Sequence, residues 1–125
     1  MDNISETYYV AMDNVAAAET YYKAWGEKDF SRIEKLLHPN AQLITPLEET
    51  VVLGKGVILE KLKKGAAFIK TLTIRAKFGS GNQTMLVIDI EFPAPTGNLR
   101  SSSLMTFQNG LITKIELFFD TKAKA

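Results

Sequence analysis

The stretch RSSSLMTFQNGLITKIELFF, residues 100–119, decides the fold of this chain. Two runs in which apolar and polar residues tend to alternate flank the pair Asn109-Gly110. Asn-Gly readily adopts the positive φ angles of a two-residue turn, because asparagine and glycine tolerate left-handed backbone conformations. The stretch therefore predicts a β-hairpin.

Two further strands are predicted upstream of the hairpin, in TLTIRAKF (residues 71–78) and TMLVIDIEF (residues 84–92). Both runs alternate with a period of two, which is the pattern of a strand with one buried face. The turn sequence GSGN joins them, and PAPTGN follows the second run. The predicted apolar faces are Leu72, Ile74, Ala76 and Phe78 in the first strand, and Leu86, Ile88, Ile90 and Phe92 in the second.

The first half of the chain has the spacing of helices. From Ala11 onward, apolar residues recur three and four positions apart, which indicates an amphipathic helix. Asp29 is the predicted N-cap of a second, shorter helix, which is stopped by Pro39. A third helix is predicted to follow Gly54 and Gly56. Its predicted buried stripe consists of Val57, Ile58, Leu62, Ala66 and Ile69.

A short strand is predicted between the second and third helices, in NAQLITP, residues 40–46. Successive side chains of a strand point to opposite faces. Ala41, Leu43 and Thr45 therefore share one face of this strand, and the residues between them share the other.

Three helices followed by an antiparallel meander indicate an α+β fold. We predict one domain over residues 1–125, with residues 1–10 as an N-terminal extension. The helices are expected to cover one face of a strongly curved sheet. A sheet that curls around helices leaves an apolar, cone-shaped cavity, and small ligands bind in such cavities.

Composition and charge exclude several functional classes. The chain has a formal net charge of +1, no cysteine and one histidine, His38. The charge gives no support to binding of nucleic acid or an anionic membrane. The absence of cysteine and the single histidine argue against a metal centre, and we predict no cofactor. The N-terminus has acids and no long apolar run, so we predict a soluble cytoplasmic protein without signal peptide or membrane span.

Three segments, YYKAWGEKDFSRIEKLLHPNAQLITP, GKGVILEKL and FQNGLITKIELFFD, carry a resemblance that extends from Val15 to Asp120. In their order and type they resemble the nuclear transport factor 2-like superfamily, and within it the SnoaL-like and ketosteroid-isomerase-like small proteins. The resemblance implies a cystatin-like, cone-shaped α+β barrel with three N-terminal helices packed on a mostly antiparallel sheet. It also implies a homodimer formed through the outer sheet face. The superfamily includes isomerases, cyclases, hydrolases, dehydratases and non-catalytic binding modules, so the function stays open.

The resemblance to ketosteroid isomerases implies a role for Tyr21 but supplies no base. These enzymes place a carboxylate base just before a proline on the first strand, and Thr45 stands at that position. Threonine is too weakly basic to take up a proton near neutral pH. Their helix tyrosine, which holds an enolate oxygen, matches Tyr21 by its spacing from Asp29. Their late acid falls on Ser103 or Met105, and neither residue replaces a carboxylic acid.

SnoaL-like cyclases imply a different base, an aspartate near the end of the last strand, which corresponds to Asp120. Counting by twos, Ile115, Leu117 and Phe119 share one face of that strand, and Asp120 falls on the other. If the first set faces the pocket, Asp120 reaches it only through a bulge or the end of the strand. His38 is a further candidate, since histidine titrates near neutral pH. Its alternative role is to cap the C-terminus of the second helix.

Two functions are compatible with these residues. The first is a pocket protein that binds a small apolar molecule without catalysis, which we favour because no carboxylate replaces Thr45. The second is an acid–base enzyme, such as an isomerase, cyclase or hydrolase, in which Tyr21 holds an oxyanion and Asp120 or His38 is the base. Tyr21 has the alternative reading of an aromatic residue that fills the core. The predicted pocket lining is Tyr21, Trp25, Leu43, Thr45, Ser103, Met105, Ile115, Leu117 and Phe119.

Overall fold

The computed structural model describes the backbone of residues 3–47 and 50–120 and the side chains of residues 10–47 and 50–120. Within these residues it contains three helices and six strands. No helix in the described part is long and apolar enough to cross a membrane. In chain order the elements are α1 (Asn3–Gly26), α2 (Phe30–Leu36), β1 (Leu37–Ile44), β2 (Val52–Leu53), α3 (Lys55–Ala66), β3 (Thr71–Ser80), β4 (Gln83–Glu91), β5 (Asn98–Gln108) and β6 (Leu111–Phe118).

The six strands form one sheet in the order β2-β1-β6-β5-β4-β3. Neighbouring strands are antiparallel except for β1 and β6, which run parallel. The helices pack on one face, with α1 against β3 and β4 and α3 against β1. We call this the inner face of the sheet and the opposite one the outer face. The predicted α+β fold, three helices on a mostly antiparallel sheet, is confirmed.

The hairpin predicted at the Asn-Gly pair joins β5 to β6. Asn109 and Gly110 have φ angles of 52° and 80°. Gln108 pairs with Leu111, which leaves two residues in the turn. Along β5 every second side chain, from Leu99 onward, is buried. The register of the two strands shifts by one residue between Phe107 and Thr106, and the buried face of β5 continues through the shift and forms part of the core.

The bounds of the first two helices refine the sequence prediction. α1 begins at Asn3 rather than at Ala11, so residues 3–10 are part of the helix. α2 has the predicted N-cap: the carboxylate of Asp29 accepts a hydrogen bond from the backbone N–H of Arg32 over 3.3 Å. This bond provides an acceptor for one of the backbone N–H groups that a helix N-terminus leaves without an intrahelical partner.

The buried face of α3 differs from the predicted stripe at its first turn. Val57, predicted to be buried, has 52% of its surface exposed, and Leu59 is buried instead. Each helical residue turns the chain by about 100°. The buried stripe runs through Ile58, Leu59 and Leu62, so Val57 points to the opposite side of the helix.

The face prediction for the second half of β3 is wrong. The pairing of β3 with β4 shifts by one residue between Ile74 and Ala76, which is a β-bulge. A bulge reverses the alternation beyond it, because one extra residue is inserted into one strand. Ala76 and Phe78 therefore lie on the outer face, and Phe78 is 63% exposed. Lys77 turns toward the helices, where its Nζ donates to the carboxylate of Glu19 over 3.0 Å.

His38 lies one residue beyond the C-cap of α2, Leu37, and its described hydrogen bond is made within β1 and not to the helix, so the capping role considered for it is not supported. α2 ends at Leu36, and the chain passes directly into β1. The backbone extends there because Leu37 pairs with Ile112 of β6. The Nδ1 atom of His38 accepts a hydrogen bond from the backbone N–H of Asn40 over 3.0 Å.

Candidate ligand-binding cavity

A cavity of about 340 Å³ lies between the helices and the inner face of the sheet. Its size falls at the lower end of the range of about 300–1,000 Å³ that is typical of small-molecule sites. Two of its lining residues, Phe68 and Thr96, are exposed, so part of the wall lies at the protein surface. The helices contribute Tyr21, Tyr22 and Trp25 from α1, and Leu62 and Gly65 from α3.

The sheet forms the opposite wall, which is almost entirely apolar. Among the lining residues that the strands contribute, Ser101 of β5 carries a hydroxyl group. Two phenylalanines, Phe92 and Phe119, follow the ends of β4 and β6 and extend the wall beyond the sheet. The strands themselves contribute Leu43, Ile88, Ile90, Leu99, Ser101 and Leu117.

The aromatic side chains of α1 are held in fixed positions relative to one another. Tyr21 and Tyr22 meet edge to face, with ring centroids 4.9 Å apart, which is a favourable aromatic geometry. The ring of Trp25 lies 6.3 Å from that of Tyr22. The Nε1–H of Trp25 donates a hydrogen bond to the backbone carbonyl of Leu62 over 2.9 Å. This bond ties α1 to α3 at the cavity wall.

Two hydroxyl groups are enclosed next to the cavity. Those of Tyr22 and Ser103 are shielded from solvent, and neither has a hydrogen-bond partner among the described residues. Burial raises the pKa of Tyr22 to about 12, and the nearby Ser103 hydroxyl offsets this effect in part, although the two groups do not reach hydrogen-bond geometry. Ser103 belongs to the same face of β5 as Ser101 and pairs with Leu117, which lines the cavity.

Both tyrosines of the wall are neutral hydrogen-bonding groups at physiological pH. Burial, and to a smaller extent the neighbouring Tyr22, raises the pKa of Tyr21 well above its ordinary value. Neither side chain has more than 2% of its surface exposed. A phenol that stays protonated can donate a hydrogen bond to a ligand oxygen but cannot remove a proton from a ligand.

The described lining contains no aspartate, glutamate, histidine, lysine or arginine. Its polar groups are the tyrosine hydroxyls, the Trp25 indole and the hydroxyls of Ser101 and Thr96. Among the described residues there is also no group of three or more side chains that could hold a metal ion. The cavity can therefore recognise shape and offer hydrogen bonds, and it supplies no charge.

The structure places five of the nine predicted pocket residues in the lining: Tyr21, Trp25, Leu43, Leu117 and Phe119. The other four are not among the lining residues. Ser103, Met105 and Ile115 have the predicted inward direction, but they are fully buried in the core beyond the cavity. Thr45 follows the end of β1, and its hydroxyl accepts a hydrogen bond from the backbone N–H of Leu47 over 3.0 Å.

The two candidate bases do not line the cavity. Asp120 is exposed after the end of β6, and His38 is half-buried in β1. The predicted alternation in β6 agrees with these positions, because Ile115 is buried and Leu117 and Phe119 line the cavity. Tyr21 is thus the one proposed catalytic residue that lines the cavity.

Sequence reasoning missed several lining residues. Ser101 could have been found, since it lies two residues before Ser103 on the same face of β5. Tyr22 has the helical spacing of a core residue, four positions after Ala18, so no separate signal in the sequence marks it as a lining residue. The lining role of Gly65 had no sequence signal, because it depends on how closely α1 approaches α3.

Three helices on a curved, mostly antiparallel sheet, with an apolar cavity between the layers, define the cone-shaped fold of nuclear transport factor 2-like proteins. No protein-family model matches the chain, and neither does any curated protein. The fold is shown instead by solved structures, many of which superpose on nearly the whole chain. The predicted resemblance in fold is confirmed.

Three of these structures illustrate the likeness. A nuclear transport factor 2-like protein of unknown function from Cytophaga hutchinsonii has a TM-score of 0.72 and 20% identity, over 85% of this chain and 88% of that chain. A protein with a cystatin-like fold from Silicibacter pomeroyi has a TM-score of 0.79 and 17% identity, over 94% and 81%. A proposed ketosteroid isomerase from Kribbella flavida has a TM-score of 0.77 and 13% identity, over 88% and 79%. At such low identities the likeness shows the fold alone.

Proposed function

We propose that this protein binds a small, uncharged, mostly apolar molecule in the cavity between the helices and the sheet. The observation that carries the proposal is the cavity wall, in which the described residues enclose about 340 Å³ with aromatic and aliphatic side chains, a few hydroxyls and no ionised group. Apolar walls with a few placed polar groups are typical of sites that bind small molecules. A cytoplasmic location, inferred from the sequence, belongs to the same proposal.

The lack of charge in the lining supports an uncharged ligand. A carboxylate that is buried without a counter-charge loses its hydration and gains no ion pair, which costs several kcal/mol. The oxygen of a neutral ketone only accepts hydrogen bonds, and a single donor can satisfy it. Tyr21 provides a buried, protonated hydroxyl in the wall, and we assign it the polar contact with the ligand.

The alternative is an acid–base enzyme in which Tyr21 acts with Asp120 or His38. Tyr21 supports it, since a phenol in an apolar wall can stabilise an oxyanion. A catalytic base must lie within hydrogen-bond reach of the proton it removes, or within the reach of one water. Neither candidate base belongs to the lining, so we place binding before catalysis.

A ligand titration followed by NMR tests the proposal, with 2-acetylnaphthalene as a neutral probe and 2-naphthoate as its charged counterpart. Trp25 is the single tryptophan of the chain, and its indole N–H gives one resolved signal at the cavity wall. We expect the ketone to shift this signal and the carboxylate to bind at least about tenfold more weakly, which corresponds to about 1.4 kcal/mol. Equal binding of the two probes would contradict an uncharged site.

Two serines of β5 provide a matched pair of variants. Ser101 points into the cavity, whereas Ser102 lies on the outer face and pairs with Val87 and Phe118. Ser101→Leu should abolish binding of the ketone by filling the cavity, and Ser102→Leu should retain it. Exchange of the methyl protons of 2-acetylnaphthalene in D2O tests the enzyme alternative. Protein-dependent exchange that Tyr21→Phe abolishes would favour catalysis over simple binding.

We also propose that two copies of the chain associate through the outer face of the sheet. A row of paired residues crosses this face, from Phe78 through Met85 and Leu104 to Glu116. Phe78 and Phe118 are 63% and 49% exposed. Large apolar side chains that cluster on an exposed face favour a protein interface.

A further inference from the structure

Two glycines lie within α3, Gly56 and Gly65. Glycine is less favourable than alanine inside a helix, because its backbone loses more conformational freedom on folding. Neither glycine has a positive φ angle, so the backbone conformation requires glycine at neither position. Their surroundings differ: a Cβ atom on residue 56 would meet nothing within 4 Å, whereas one on residue 65 would meet a neighbour.

That neighbour is the indole of Trp25. A Cβ atom on residue 65 would lie 3.2 Å from Cζ2 of Trp25, which is closer than side chains ordinarily approach. The indole is held to the same helix by the hydrogen bond from its Nε1–H to the carbonyl of Leu62. Gly65 and Leu62 are one helical turn apart. The missing side chain of Gly65 therefore lets the indole lie against α3 while it keeps this bond.

Trp25 and Gly65 both line the cavity, so the position of the indole determines how much of the cavity is open. Away from α3, the indole faces the cavity and the ring of Tyr22. A shift of a few tenths of an ångström away from α3 therefore narrows the cavity on the side of the indole. We infer that Gly65 sets the upper size limit of the ligand by letting Trp25 lie against α3. The inference rests on the proposed function, since it concerns the ligand of the same cavity.

The test compares Gly65→Ala with Gly56→Ala, which adds the same methyl group to the same helix in open space. The probes are acetophenone and 2-acetylnaphthalene, two neutral ketones that differ by one fused ring. An apolar pocket that loses room for about one methyl group discriminates by about tenfold or more against a ligand that fills it. We therefore expect Gly65→Ala to weaken binding of the two-ring ketone by about tenfold and that of the one-ring ketone by less than about twofold. Gly56→Ala should change neither affinity.

A second measurement needs no ligand. The indole N–H signal of Trp25 should move in ligand-free Gly65→Ala and stay in place in Gly56→Ala, because only the first variant displaces the ring. An unchanged indole signal, or an unchanged ratio of the two affinities, in Gly65→Ala would overturn the inference. If Gly65→Ala does not fold, Trp25→Phe takes its place, and calorimetry should show a severalfold shift of preference toward the two-ring ketone. No shift in that variant would also overturn the inference.

The two proposals fail in different ways. If the wild-type protein binds neither ketone, the proposed function fails, whatever the indole signal shows. If the wild type binds both ketones and Gly65→Ala keeps their ratio, the proposed function stands and the role of Gly65 is refuted.

Discussion

Replacement of Tyr22 by phenylalanine removes one enclosed hydroxyl and leaves the aromatic ring in place. A buried tyrosine hydroxyl usually contributes to stability through its hydrogen bond, so its removal usually destabilises a protein. Here the hydroxyl has no partner among the described residues, and the folded state bears its desolvation cost. An unsatisfied buried polar group costs about 1–3 kcal/mol. We therefore expect Tyr22→Phe to raise the free energy of unfolding near neutral pH by about 1 kcal/mol, the lower end of this cost.

The same substitution changes the response to alkaline pH. Tyr22 has a pKa of about 12 in the folded protein, above its ordinary value of 10. The unfolded chain releases this proton first, so ionisation of Tyr22 does not affect the free energy of unfolding below about pH 10 and lowers it as the pH rises toward 12. A difference of two pKa units corresponds to about 3 kcal/mol. Tyr22→Phe should remove this part of the loss of stability at alkaline pH. The raised pKa of Tyr21 should still cause a loss of the same kind in the variant.

Urea unfolding of the wild type and of Tyr22→Phe at neutral and alkaline pH measures both effects. Ser103→Ala is the companion variant, since it deletes the second enclosed hydroxyl without touching an aromatic ring. We expect it to be neutral or stabilising for the same reason. The reasoning is refuted if Tyr22→Phe lowers the stability near neutral pH by more than about 1 kcal/mol, because the hydroxyl would then be hydrogen-bonded in the folded protein.

Two further predictions concern the packing of α1 on the sheet and the outer face. In Gly79→Ala the new Cβ would lie 2.5 Å from Cγ2 of Val15 and 3.1 Å from the carbonyl O of Ala11, so we expect thermal unfolding to show a loss of about 1–3 kcal/mol. Val15→Ala in the same background should recover part of it, and strict additivity of the two changes would contradict the contact. Leu104→Lys on the outer face should convert a dimer into a monomer in sedimentation experiments, whereas Val57→Lys, on the exposed side of α3, should not. A monomeric wild type would refute the dimer.

The elements that the sequence predicts well are specified by local chemistry. Asn109 and Gly110 turn the chain because they tolerate positive φ angles, and this property belongs to the two residues themselves. Asp29 caps α2 through a hydrogen bond to a residue three positions along the chain. The alternation of β5 needs no partner to be recognised. A pattern within ten residues is enough in each case.

The elements that the sequence does not predict depend on contacts between distant segments. The bulge in β3 reverses the faces of Ala76 and Phe78, although both are apolar and the alternation shows no break there. Beyond it, Gly79 lets α1 approach the strand, and Lys77 reaches Glu19 of that helix. The packing of α1 on β3 involves residues about sixty positions apart, so no local pattern reports it.

For the candidate site, the sequence predicts which way a side chain points but not whether it lines the cavity or lies in the core. The period of two gives the direction of Ser103, Met105 and Ile115 correctly, since all three point inward. It does not tell where the core ends and the cavity begins. That boundary depends on the sizes of side chains from α1, α3 and the sheet together. The cavity lies toward the end of the sheet where Leu99 and Leu117 line it, and the core fills the opposite end.

The residues at the expected catalytic positions show why a shared fold does not carry a shared chemistry. On the resemblance to ketosteroid isomerases, Thr45 takes the place of the base, and its hydroxyl is engaged by the backbone N–H of Leu47. Ser103, at one of the two places for the late acid, is buried beyond the cavity and has no hydrogen-bond partner among the described residues. Neither residue lines the cavity and neither is a carboxylate, so neither supplies a base to the described wall. Proton transfer needs such a group, whereas recognition of a neutral ligand is favoured by its absence. The same cone-shaped fold can thus serve either purpose, and in this chain the side chains of the wall favour recognition.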